Sequence, residues 1–338
     1  MRPFYVICCC VALLCCSAAA RAQDAQFSQQ YANRLYLNPA FAGLDRNWSV
    51  SVAHRNQWPL LTGSFITNQV TADYRLPDKK SAFGVLVQQD KTGIGGLQNL
   101  QAAGTYAYHT NITEKWAFSA GLQAAVASLR VNLDNLVFGD QLSDNGLVAV
   151  SSAEANLFEP TSYGSFSTGG LIYSDQFWVG FAAAHLNKPS YGFGQTTALP
   201  IRFTANTGYK FYVRSYAERG RVNELSITPT LTYTHQQNLS RTDVGLYTIY
   251  TPLTLGVIYK GAPITGGADQ DQSMAVIAGL QLEQFKIGYS HDFGIKGFGR
   301  QAGGANEVSL VFEQVDLKNI FNSNAKRRIN RNIACPAF

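Results

Sequence analysis

Apolar and polar residues alternate along most of this chain with a period of two, the spacing of side chains on opposite faces of a β-strand. Between Ile201 and Tyr212 the odd positions are Ile201, Phe203, Ala205, Thr207, Tyr209 and Phe211, and the even ones Arg202, Thr204, Asn206, Gly208, Lys210 and Tyr212. Leu225, Ile227, Leu231 and Tyr233 alternate with Ser226, Thr228, Thr230, Thr232 and Thr234. Trp116, Phe118, Leu122 and Val126 alternate with Ser119, Gly121, Gln123 and Ala125, and Phe285, Ile287 and Tyr289 with Lys286, Gly288 and Ser290. The pattern predicts about fourteen strands, within a range of twelve to sixteen set by the uncertainty of boundaries. They lie near 46–56, 64–75, 81–90, 97–109, 115–130, 166–174, 176–186, 201–213, 222–235, 239–250, 253–260, 273–282, 285–293 and 305–314.

A soluble β-sandwich also alternates. Here the polar set is small and neutral, and Tyr and Phe recur toward strand ends, as in the girdles of a membrane barrel. Tight turns at Pro77-Asp78-Lys79, Asn111-Ile112-Thr113, Ser174-Asp175, Thr251-Pro252 and Glu283-Gln284 alternate with longer connections, the longest being 131–165. Short turns face the periplasm and long loops the outside in bacterial barrels, so this parity predicts that both termini are periplasmic. Arg214 to Arg221 is long for a turn, Gln236-Gln237-Asn238 is short for an outer loop, and Pro229 inside a strand predicts a bulge. The expected fold is all-β: a transmembrane antiparallel β-barrel over 46–314, a periplasmic or lumenal N-terminal segment over 23–45, and a periplasmic C-terminal tail over 315–338.

Composition agrees. Charged residues are only 14% of the chain, aromatics are 12%, and there are 30 glycines. Residues 1–22 read as a cleaved export signal: Arg2, an apolar stretch from Phe4 to about Cys16, and small residues around Ala20-Arg21-Ala22. The rival, a lipoprotein modified at Cys15 or Cys16, is opposed by Leu14 where a small residue belongs. Of the 6 cysteines only Cys335 lies beyond this segment, so no internal disulfide can form in the mature chain. The net charge of +5 falls by two with Arg2 and Arg21, and no basic patch with interleaved aromatics points to nucleic acid. One basic cluster, Lys326, Arg327, Arg328 and Arg331, stands near the C-terminus with Ile320, Phe321, Ile329, Ile333 and Phe338 around it. A cluster this short reads as a solvated tail or, with those apolar residues, as one that docks on the periplasmic rim of the barrel or on an acidic partner.

Catalytic and cofactor chemistry finds no support. Ser290-His291-Asp292 imitates a triad, but neighbours on a strand face opposite ways. His54, His109, His185 and His235 lack metal-ligand spacing, and Asp134, Asp140 and Asp144 lack the dense spacing of a calcium loop. Gly93, Gly95 and Gly96 are followed by no phosphate-binding lysine. The expectation is a non-enzyme with no cofactor and no metal.

Several short motifs coincide in order: Gln26-Phe27-Ser28-Gln29-Gln30, Leu37-Asn38-Pro39-Ala40-Phe41-Ala42-Gly43, Arg55-Asn56-Gln57-Trp58, Phe158-Glu159-Pro160, Gly169-Gly170-Leu171-Ile172-Tyr173, His185-Leu186-Asn187-Lys188-Pro189, Gly288-Tyr289-Ser290-His291-Asp292, Asn306-Glu307-Val308-Ser309-Leu310 and the closing Cys335-Pro336-Ala337-Phe338. In these the chain resembles the PorP/SprF family of Bacteroidetes outer-membrane proteins. Asn306 and Asp292 stand where Ser and Tyr are commoner in the family. The resemblance implies a part in type IX secretion, gliding motility, or both. It implies as partners the outer-membrane lipid, a large secreted surface adhesin with a C-terminal sorting domain, and a periplasmic peptidoglycan-binding protein. The alternative function is a porin or hydrophobic-solute channel. Asn38, Pro39, Gly43, Arg55, Asn56 and Trp58, with Lys326, Arg327, Arg328, Cys335 and Phe338, are the candidate structural or partner-contact residues. Small lumen positions such as Gly121, Ala125, Gly208 and Gly288 suit an open pore and a snugly held peptide equally well.

Overall fold

A computed structural model describes residues 24–44, 48–76, 80–93, 96–132, 137–143, 146–147, 152, 158–193, 197–218, 221–263, 272–282 and 284–313. The signal at 1–22 and the tail at 315–338, with Lys326, Arg327, Arg328, Cys335 and Phe338, lie outside them.

The strands in chain order are β1 Trp48–Gln57, β2 Phe65–Arg75, β3 Ser81–Thr92, β4 Leu97–Asn111, β5 Ala117–Val131, the short pair β6 Leu142–Ser143 and β7 Gly146–Leu147, β8 Thr161–Tyr173, β9 Phe177–Ala184, the short pair β10 Ser190–Tyr191 and β11 Thr197–Ala198, then β12 Arg202–Tyr209, β13 Phe211–Glu218, β14 Arg221–Gln236, β15 Leu239–Tyr250, β16 Leu253–Lys260, β17 Gln272–Leu282, β18 Phe285–Lys296 and β19 Ala305–Glu313. Sequential neighbours pair antiparallel, β5 pairs with β8, β9 with β12, and β12 with β14. Pairing of β1 with β19, from Ser49 opposite Glu313 to Gln57 opposite Ala305, closes a 14-strand barrel. Closure leaves no edge strand with unpaired backbone groups, the condition for crossing hydrocarbon with strands.

The alternation sorts side chains as expected. Val52, Val70, Val85, Leu122, Val126, Leu246 and Leu255 stand exposed on the outside, while Ser51, Thr71, Ser119, Ser226, Ser290 and Ser309 are buried within. Aromatic pairs ring the short-turn end: Trp48 against Phe312 at 4.9 Å, Phe285 against Phe312 at 4.4 Å, Phe83 against Tyr106 at 5.4 Å.

Three details depart from the sequence expectation. First, the strand expected to end at 213 continues as β13 to Glu218. β13 continues the line of β12 and pairs with β14 from Phe211 opposite Ile227 to Glu218 opposite Arg221, so a hairpin projects beyond the short-turn rim. Second, Pro229 makes no bulge, and the β14–β15 register runs through it unbroken, Pro229 facing Leu246. On its other side the ladder pauses between Gly208–Thr230 and Phe211–Ile227, so its missing N–H falls where no partner is required. Third, of the two places open to the N-terminal segment, the periplasm and the lumen, residues 24–44 take the lumen: Asp24 lies at the long-loop end, beside Arg202 at the start of β12, and the segment runs down the barrel interior to reach β1.

Candidate functional site

The lumen is occupied by the chain itself. Residues 24–44 carry one short helix, α1 (Arg34–Leu37), and a 3-10 turn over Pro39–Phe41. Asn38 dictates the turn: its side chain accepts from the Ala40 N–H at 2.8 Å, and Pro39 supplies a first position that has no N–H to satisfy. Gly43 then takes a left-handed φ of 65°, and its N–H donates to Asp73 at 2.8 Å. A side chain there would strike the Ala82 Cβ.

Four charges grip this plug at the long-loop end. Arg55 of β1 reaches Asp292 of β18 at 2.7 Å and Glu307 of β19 at 3.1 Å, and Lys260 of β16 reaches Asp292 at 2.7 Å. Two cations thus balance two carboxylates, which is what burial of charge demands. Ser28 sits at their centre. Its N–H donates to Glu307 at 2.7 Å and its hydroxyl to Asp292 at 2.7 Å, and it accepts from Arg55 at 3.0 Å and from Lys260. The Gln29 N–H donates to Glu307 at 3.1 Å, while its side chain donates to Ser290 at 3.2 Å and accepts from Ser309 at 2.5 Å. All of these groups are buried.

Farther down, the wall is shaped to the plug. A Cβ on Gly121 would meet the backbone of Pro39 and Ala40, one on Gly169 the Asn38 carboxamide, and one on Gly288 the Tyr31 hydroxyl. Asn38 donates to the Gly170 and Phe181 carbonyls at 3.1 and 3.2 Å. Ser119 donates to the Ala40 carbonyl and His109 Nε2 to that of Ala42, both at 2.8 Å. Phe41 and Leu44 pack with Ala117, Leu171, Tyr173 and Trp178, and Leu35 and Ala42 with Ala82, Leu86 and Ala125. Gly208 takes the Trp178 ring, a wall residue rather than the plug. The small lumen residues therefore hold a peptide.

Asp24 latches the plug's first residues. It pairs with Arg202 at 2.9 Å and accepts from His185 at 3.0 Å. Burial opposes its ionisation, but Arg202 and His185 outweigh that and hold the carboxyl down at about 2. Arg202 also stacks on the Tyr36 ring at 4.3 Å and donates to its hydroxyl at 2.5 Å.

Of the residues singled out from sequence, Asn38, Pro39, Gly43 and Arg55 all belong to the plug and its grip. Asn56 lies on the outer face opposite Asn306. Trp58, with φ of 59°, donates its N–H to the Gly304 carbonyl at 2.7 Å and sets its ring edge-on to Phe65 at 4.9 Å. Sequence reasoning missed Ser28, Lys260, Asp292 and Glu307 as partners of Arg55. Charges on the lumen face of strands otherwise lined by Ser, Thr and Gly were the available signal. The triad-like string is split: Ser290 and Asp292 face the plug, while His291 turns outward to Asn306 at 2.8 Å. Among the described residues no group of three or more His, Cys, Asp or Glu is placed to hold a metal ion.

Toward the long loops, a cavity of about 910 Å³ lies between the plug and the wall, lined on the plug side by Asp24, Ala25, Gln26, Tyr36, Leu37 and Pro39.

The profile of a family described as "Type IX secretion system membrane protein PorP/SprF" matches residues 19–312. No curated relative matches. Among solved structures, the toluene transporter TbuX of Ralstonia pickettii is similar at 12% identity and a TM-score of 0.43, covering 82% of this chain and 91% of its own. A TodX monoaromatic hydrocarbon channel mutant gives 11% and 0.43, with 83% and 92% covered. The KdgM porin gives 8% and 0.37, with 79% and 99% covered.

Proposed function

Because the chain belongs to the PorP/SprF family of type IX secretion system membrane proteins and is a barrel of the outer membrane, we propose that it helps secrete a large adhesin with a C-terminal sorting domain and hold it at the cell surface. Gliding motility is one use of such a display. The observation that carries this reading against a solute channel is the plug. A pore needs a continuous aqueous path, and residues 24–44 bridge the lumen from wall to wall through buried charges and close backbone packing. A sealed barrel serves as an anchor and a docking platform. The short-turn end faces the periplasm on the loop-length argument. The β13–β14 hairpin projects there, and the basic tail at Lys326, Arg327 and Arg328 follows β19. Both offer contacts to a periplasmic peptidoglycan-binding partner, and the tail carries Cys335 and Phe338 beyond the charges.

Planar-bilayer recording combined with surface display tests the reading. The intact protein should give no steady conductance, deletion of residues 24–44 should open one, and only the intact protein should support display of the surface protein encoded nearby. Steady conductance by the intact protein, with display unaffected by its loss, would favour the channel.

A further inference from the structure

We propose that the cavity between the plug and the wall is a binding site for an oligosaccharide. Its chemistry is laid out along the wall. Gln88 and Asp90 of β3, Asn99 and Gln101 of β4 and Gln123 of β5 line it with carboxamides and one carboxylate. An aromatic pair flanks this polar face on each side: Trp58 with Phe65 next to β2, and Tyr163 with Tyr191 on β8 and β10, ring centroids 4.9 and 5.7 Å apart. Since β2 and β8 are four strand spacings apart, the flanks are separated by roughly 19 Å of sheet.

Two acceptors in this face have no donor. Gln88 is only 3% exposed, and its Nε2 donates to Asp90 at 2.7 Å, yet its own Oε1 is buried without a partner. So is Asp90 Oδ1. Buried acceptors left unpaired are costly, and a ligand rich in hydroxyl donors relieves that cost. Sugar rings supply those donors on their edges, and their C–H faces stack on aromatic rings. The charges on the cavity wall are largely spent internally: Arg55 and Lys260 on Asp292, Arg202 on Asp24, Arg241 on Asp243. Lys91 and Lys296 stand at its exposed margin. Leu86, Leu97, Leu199 and Leu239 also line the cavity, so a polypeptide is the competing occupant, and a peptide array is its test.

The test uses the full chain in amine-oxide micelles, because maltoside detergents are themselves sugars. The labelled protein is applied to an array of bacterial and plant glycans, and the best binder is titrated against wild type, Gln88→Leu and Tyr191→Ala. Heat-modifiable gel mobility checks that each barrel is folded. Binding by wild type that falls roughly tenfold or more in both folded variants supports the site. Three results overturn it: no glycan bound, glycan binding that both folded variants retain, or capture of an unstructured peptide from a parallel peptide array without any glycan binding. None of these depends on whether the barrel serves secretion.

Discussion

Replacing Arg55 by alanine removes one charge from a balanced group of four and is the sharpest probe of the plug. Removing one partner of a buried ion pair costs about 3–5 kcal/mol, because the opposite charge stays buried without compensation. Here the low end applies. Asp292 keeps Lys260, and Glu307 keeps the Ser28 and Gln29 N–H groups, so neither carboxylate is abandoned. About 3 kcal/mol corresponds to roughly a hundredfold shift in an equilibrium. The shift falls on docking of the plug, since Arg55 makes its 3.0 Å bond to Ser28 through a side chain the β1 ladder does not need. Amide hydrogen exchange of the micellar protein, resolved by peptide, reads this directly. Residues 27–35 should exchange about a hundredfold faster in Arg55→Ala, while β1 and β19 keep their protection. Arg55→Lys, which keeps the charge and loses the planar fork, should fall between. Unchanged protection over 27–35, or equal loosening of plug and wall, would refute the argument.

Three other outcomes follow from the same geometry. Gly169→Val puts atoms where the Asn38 carboxamide lies and should loosen residues 36–44 by about 1–3 kcal/mol, seen as faster exchange there with the barrel still heat-modifiable. Asp24 has its carboxyl held at about 2, below its ordinary 3.8, so its latch is at full strength above about pH 4 and is lost as pH falls through about 2; a spin label at Ala25 should stay immobile at pH 5 and become mobile only near pH 2. A cysteine at Leu60, 75% exposed beyond β1, should react with an impermeant thiol reagent on intact cells, and one at Ile112, 58% exposed in a short turn, should not; the opposite pattern inverts the barrel.

The wall was legible because lipid and lumen impose opposite chemistries at successive residues, and Arg202, Thr204 and Asn206 against Phe203 and Tyr209 record that demand locally. Where the demand lapses, so does the signal. Tyr212, Val213 and Arg214 break the alternation, which hid the β13–β14 hairpin, and small residues on both faces at Ser162, Gly164 and Ser165 hid the first turns of β8. The plug was legible only as local conformation. Asn38-Pro39 does make the turn it spells, but its burial comes from Gly121, Gly169 and Phe181 far along the chain. The grip on Ser28 was invisible for the same reason, since its bond to Asp292 spans 264 positions. Arg55, Lys260, Asp292 and Glu307 each look like ordinary polar-face residues until the register brings them to one point.

The grip on Ser28 also ties the plug to the closure of the barrel. Arg55 belongs to the first strand and Glu307 to the last, and these two strands meet only when the cylinder shuts. Ser28 binds residues on both sides of that join, Arg55 and Glu307, and Gln29 adds Ser290, Glu307 and Ser309 on one side. A segment that spans the full interior is most simply enclosed if it is already in place while the wall is still open. Once shut, the join cannot part sideways to admit or release a hydrophobic passenger without first pulling those charges off Ser28. The same few atoms that hold the plug therefore act as a clasp on the wall.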